Sequence, residues 1–252
     1  AFPYRTIKRA LEHVKTSLVQ HDGCTIVLDA PGEYDVDQAG EIMNERWITI
    51  RAADGLAMND VVIAAGAWEL VRPKVHRLRF HGVSVDFSRT MQMYKEDTHQ
   101  QWYDECRWFQ SAGWEFAVSP FLQPVRNIGY HGLFVTESRA EDSLYGFVGC
   151  NLVRNARLER ISGDCFQNSL MIVNASVNTV DGSVLEHHSD LLQFFGNFEH
   201  LIVYGVRAVG VKETQNIFLD WNNSSFTNCA FVNIVVQNQQ ADVPFTQLHS
   251  AH

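Results

Sequence analysis

Phe80-His81-Gly82-Val83-Ser84-Val85 recurs down the chain in degenerate form. It returns as Tyr130-His131-Gly132-Leu133-Phe134-Val135, Cys150-Asn151-Leu152-Val153 and Val173-Asn174-Ala175-Ser176-Val177. Two more copies follow, Tyr204-Gly205-Val206-Arg207-Ala208 and Asn228-Cys229-Ala230-Phe231-Val232. Each copy sets a small or amide residue (Gly82, Gly132, Asn151, Asn174, Gly205, Cys229) before an apolar one expected to face inward. The spacings of that column are 50, 19, 23, 31 and 24 residues. A strand–turn unit of roughly 20–30 residues is what a solenoid needs, because one coil cannot bury its apolar face alone. The pattern predicts an all-β solenoid whose polar columns run across coils about 4.8 Å apart.

Composition bounds what such a chain can do. Its 252 residues suit one elongated domain, 1–252, and 46% hydrophobic with 19% charged residues marks a folded chain. No run of eighteen apolar residues is present, so no membrane-spanning helix is expected. A net charge of −9 argues against a nucleic-acid partner, which requires a basic surface. An anionic polymer would need a local basic strip or a bound divalent cation. Arg154, Arg157 and Arg160 cluster, and Lys212 is the only lysine after Lys95. The five cysteines form no C-x-x-C motif and read as buried thiols, with a disulfide left open. The opening Ala1-Phe2-Pro3 reads as a mature secreted form or a trimmed chain.

Ile7, Ala10, Leu11, Val14 and Leu18 share a helical face after Thr6 as N-cap, predicting a capping helix over residues 6–20. Thr25–Leu28, Trp47–Ile50 and Val61–Ile63 read as strands between turns at Asp22-Gly23, Pro31-Gly32 and Asp54-Gly55. This order, with D-G-C-T-I-V-L-D-A-P-G-E-Y from Asp22 and W-I-T-I-R-A from Trp47, resembles the pectate-lyase-like superfamily. The resemblance implies a single-stranded right-handed parallel β-helix. It also implies a carbohydrate-active role, secreted or periplasmic, with a polysaccharide as substrate or ligand. Lyases, hydrolases, epimerases, tailspikes and non-catalytic surface proteins share this fold. The W-I-D-H segment of pectate lyases is missing, as are the paired-aspartate, G-H-G and R-I-K motifs of polygalacturonase-type hydrolases.

Residues 90–121 break the repeat and carry eight aromatics between Tyr94 and Phe121. They are expected to form a lateral excursion, either a sugar-stacking wall through Trp102 and Trp108 or a mini-core. His131 joins His81 in a second histidine column, read as substrate contact or as turn packing.

The strongest chemical signal is Glu186-His187-His188-Ser189-Asp190-Leu191-Leu192-Gln193, preceded by Asp164-Cys165-Phe166-Gln167. Both contain D-x-x-Q, so Asp164 is expected to stack on Asp190 and Gln167 on Gln193. An offset of 24 then sets Lys212 beside His188, with Arg160 nearby. Such a patch suits β-elimination from a uronate. A cation neutralises the carboxylate, and Lys212 or His188 removes the C5 proton with Arg160 assisting. Gln193 would contact substrate, while Asp164, Asp190 and Glu213 would hold Ca²⁺, a hard ion that prefers oxygen ligands. A retaining hydrolase on Asp164 and Asp190 is the rival enzyme, its carboxylates near the roughly 5–5.5 Å separation. The plainer reading is a structural amide and carboxylate ladder.

Overall fold

The structure, a computed structural model, describes residues 4–16, 23–35, 42, 44–64, 75–86, 100–109, 133–143, 145–182, 189–212, 214–220, 225–238 and 246–249. It is an all-β, single-stranded parallel β-helix. The first face stacks Cys24–Leu28, Ile48–Ala52, Leu78–His81, Gln101–Asp104, Leu133–Thr136 and Leu152–Arg154, each parallel to the next. The second stacks Gly32–Asp35, Val61–Ala64, Ser84–Asp86, Arg107–Phe109, Arg139–Ser143 and Arg157–Ile161. Three long strands, Met171–Asp181, Ile202–Lys212 and Ala230–Asn238, then run through both faces. A third face holds Phe147–Val148, Phe166–Gln167, Ser189–Phe194, Thr214–Asp220 and Thr246–His249.

The bend between the first two faces explains the repeat. Gly82, Glu105, Glu137, Asn155, Asn174, Gly205 and Asn233 all have φ between 52° and 69°. They occupy one column, each following the strand positions that pair His81 through Asp104, Thr136, Arg154, Val173 and Tyr204 to Val232. The left-handed backbone turns the chain, and the next residue (Val83, Cys106, Ser138, Ala156, Ala175, Val206) drops into the interior. Side chains line this edge too: Asn174 Nδ2 donates to Asn155 Oδ1 at 3.3 Å, and Asn155 Nδ2 to Glu137 Oε1 at 2.5 Å. Gly205 takes this bend at φ +69° without strain, and a Cβ there would lie 2.8 Å from Asn174 Oδ1, so a larger residue would have to displace that amide. Asn151 and Cys229 belong elsewhere, at the entry to first-face strands, where Asn151 Oδ1 accepts from Leu133 N–H at 3.1 Å.

Inside, aromatic rings run along the axis. Phe80 stacks on Tyr103, Tyr103 meets Trp108 edge-on at 5.0 Å, and Trp108 meets Phe147 edge-on at 4.8 Å. All five cysteines are free, and Cys106, Cys150 and Cys165 are buried. The helix Ile7–Thr16 packs Ile7, Ala10, Leu11 and Val14 against the first coil, and Thr6 Oγ1 accepts Arg9 N–H at 3.2 Å as its N-cap. The remainder of the predicted helix, with Leu18, lies outside the described residues.

The expected excursion over 90–121 differs in its described part. Residues 101–109 supply strands to both faces, paired in register with Leu78–His81 below and Leu133–Thr136 above. The aromatics there alternate between core and surface as a regular coil demands.

Gly146 gives a test of coil packing. A Cβ there would sit 2.1 Å from Cys165 O and 2.3 Å from Leu158 Cδ2. Since the oxygen is backbone and cannot swing aside, Gly146→Ala is expected to reach or exceed the about 1–3 kcal/mol typical of overpacking. Chemical denaturation of the variant measures this directly.

Candidate functional site

The D-x-x-Q pair forms as the spacing predicts. Gln167 pairs with Gln193 across adjacent strands, and Asp164 Oδ1 accepts Asp190 N–H at 2.9 Å. Gln167 Nε2 donates to Asp164 Oδ2 at 3.1 Å and to Gln193 Oε1, while Gln193 Nε2 donates to Asp190 Oδ2 at 2.6 Å. Asp164 is 4% exposed and Asp190 fully buried. Burial, and for Asp164 the neighbouring Asp190 carboxylate, push these acids up to about 8 and about 7. Amide N–H groups already hold Asp164 Oδ2 and Asp190 Oδ2, and a backbone N–H holds Asp164 Oδ1. These acceptors do not present an open oxygen set, so the pair does not fit the Ca²⁺ role predicted for it with Glu213. Glu213 lies outside the described residues. The pair is a buried ladder whose carboxyls are pushed toward the protonated form.

Its pH dependence follows from linkage. Below about pH 4 both carboxyls are protonated in folded and unfolded chains, and their contribution is fully present. From about pH 4 upward the unfolded chain gives up these protons while the folded protein keeps them, so that contribution falls steadily. It is fully lost once the folded pair ionises at about 7 and about 8. Denaturation midpoints are expected to fall across this window, and Asp190→Asn, which keeps the shape without the charge, to flatten the fall.

Of the other residues predicted for the patch, Lys212 closes the long strand Ile202–Lys212, opposite Asp181, with Nζ 3.2 Å from Asp181 Oδ2. On the third face Ser189 pairs with Thr214 and Asp190 with Gln215, an offset of one residue from that predicted. Arg160 is committed to Asp142 and Glu159 at the surface. Trp108 is 4% exposed in the aromatic core and cannot stack on a sugar. His188 and His131 lie outside the described residues.

A different constellation lies on the outside of the first face. Leu78 and Phe80 point inward, so Arg79 and His81 alternate outward, as do Trp102 and Asp104 on the next strand. Arg79 Nη2 lies 2.5 Å from Asp104 Oδ2, His81 Nδ1 lies 3.1 Å from the same oxygen, and Thr136 Oγ1 donates to Asp104 Oδ1. The Arg79 guanidinium sits 4.4 Å from the Trp102 ring centroid, and Trp102 Nε1 donates to Thr136 Oγ1 at 2.8 Å. Trp47 packs edge-on to Trp102 at 5.7 Å. Burial raises the Asp104 carboxyl, but the Thr136, Arg79 and His81 hydrogen bonds and the Arg79 charge outweigh it, so the net shift is downward. Asp104 is therefore ionised at neutral pH. Arg79 and His81 keep about a third of their side chains exposed, at 29% and 32%.

The arrangement is chemically specific. An aspartate on Nδ1 fixes the tautomer of His81 that leaves Nε2 as the basic nitrogen. A guanidinium such as Arg79 is a group that pairs with carboxylates, and an indole such as Trp102 is one that offers an aromatic face. Among the described residues, His81, Asp104 and Glu105 bring one donor atom each within 4.8 Å of one another. Arg79, already on Asp104 Oδ2, competes with any cation there. Sequence reading named Trp102 and His81 separately. It missed Asp104 and Arg79, because the strand carrying Asp104 was assigned to the excursion.

No protein-family model matches the chain, and no curated protein matches it. Among solved structures, the A-module of the Azotobacter vinelandii mannuronan C-5 epimerase AlgE6 is similar over 92% of this chain and 76% of that one. Identity is 14% and the TM-score 0.34. The fold assignment rests on the strand pairing of this chain itself.

Proposed function

We propose that this is a carbohydrate-active β-helix protein that removes the C5 proton of a uronate residue in an acidic polysaccharide, acting as a polysaccharide lyase. The observation that carries the reading is the Arg79–His81–Asp104–Trp102 cluster, in which Arg79 and His81 reach solvent over a buried Asp104. Arg79 offsets the uronate carboxylate, which makes the C5 proton removable, and Trp102 supports the sugar ring. His81 Nε2 accepts the C5 proton, and the C5–H electron pair becomes the C4=C5 double bond. The C4–O4 bond breaks, and O4 leaves with a proton from solvent. Asp104 stabilises the imidazolium that forms. A retaining hydrolase on Asp164 and Asp190 is disfavoured, since both are buried. An extracellular or periplasmic setting belongs to this reading, because such polymers are found there.

A screen over alginate, pectate and other uronate polymers tests it. Growth of the ultraviolet absorbance of the unsaturated uronate supports the lyase. Inversion at C5 without cleavage, seen by proton NMR, would reassign the same site to an epimerase. Neither signal with any polymer, alongside measurable binding, would make it a binding module.

A further inference from the structure

The second face carries a column of arginines with no part in that reading. Arg107, Arg139 and Arg157 occupy the same register position on three successive strands, and the column continues through Ser176 to Arg207. Like charges directly opposite one another in a ladder are destabilising, so three stacked guanidiniums on a chain of net charge −9 call for an anion. Glu141 supplies one, at 2.8 Å from Arg107 Nε and 3.0 Å from Arg139 Nε. Glu159, the next carboxylate along, is held by Arg160. Arg157 and Arg207 are exposed and have no ion pair among the described residues. Arg154, three residues before Arg157, stands on the first face in the row of His81, Asp104 and Thr136. The cationic band thus crosses the Asn155 bend from one face to the other.

We infer that this arginine column is a docking strip for a linear acidic glycan laid across the strands. The two arginines without an ion pair among the described residues, Arg157 and Arg207, lie two strand steps apart across Ser176. At an inter-strand spacing of about 4.8 Å that matches roughly two pyranose units, so they meet anionic groups on every second sugar. The guanidinium fork binds carboxylate or sulfate in two-point fashion, which a lysine does not. The strip holds a polyanion whether or not chemistry follows at His81.

Binding of polygalacturonate, dextran sulfate, neutral dextran and a single-stranded oligonucleotide tests this at low and high salt. The wild type is compared with the Arg157→Gln/Arg207→Gln double variant, its fold checked by circular dichroism. The charged glycans are expected to bind, more weakly at high salt, and the double variant to lose about tenfold or more in affinity at low salt. Whichever charged glycan binds tighter identifies the group that is read. Dextran sulfate carries no uronate for the His81 site, so loss of its binding in the double variant separates the strip from the proposed catalytic site. Unchanged affinity in the double variant, equal binding of neutral dextran, or preference for the oligonucleotide would each overturn the proposal.

Discussion

Replacing His81 with alanine is expected to lower turnover of the uronate polymer by about 10²–10⁴, the usual range for loss of a general base. The fold should survive, because His81 is a third exposed and lies outside the core. Asp104→Asn is expected to reduce turnover through His81. It leaves a side chain of the same shape but loses the charge that Arg79 and His81 share. The two variants differ in a way that a merely structural role would not produce. Asp104→Asn should shift the pH–rate profile of the residual activity, whereas His81→Ala should remove its acidic limb, the rise in rate as the base deprotonates. Full activity in His81→Ala would move the base elsewhere.

Trp108→Ala is expected to cost about 3–5 kcal/mol, as for a fully packed aromatic. Few proteins can lose that much, with about 5–15 kcal/mol in total. The ring is wedged between Tyr103 and Phe147, and both contacts would open into a cavity. Trp102→Ala, six residues earlier, is expected to shift the denaturation midpoint little, because that ring is half-buried on the surface. It should instead weaken uronate binding. Two tryptophans of one coil thus separate stability from recognition. Equal destabilisation by both, measured by urea denaturation, would contradict the placement.

The architecture was legible because a β-helix repeats one physical requirement in every coil. Gly82, Asn174 and Gly205 stood out as residues that tolerate the left-handed bend. Glu105, Glu137, Asn155 and Asn233 make the same bend. The two glutamates left no compositional mark, because tertiary pairing on both sides forces their backbone. That hid one entire coil, and with it the partnership of Asp104 with His81. The D-x-x-Q stack was readable because both strands belong to one face and keep one register. The ion pair of Lys212 with Asp181 was not, since Ile202–Lys212 runs unbroken through two faces and delivers its last residue there. Offsets counted in residues hold only while successive coils turn at the same positions.

The central claim is that uronate is bound on the outer first face. The most direct test is a structure of the His81→Ala variant with a uronate oligomer. The account predicts a sugar ring against Trp102 with its carboxylate within hydrogen-bonding distance of Arg79, about 2.7–3.2 Å. An oligomer ordered at another face, with the Trp102 surface bare, would contradict it.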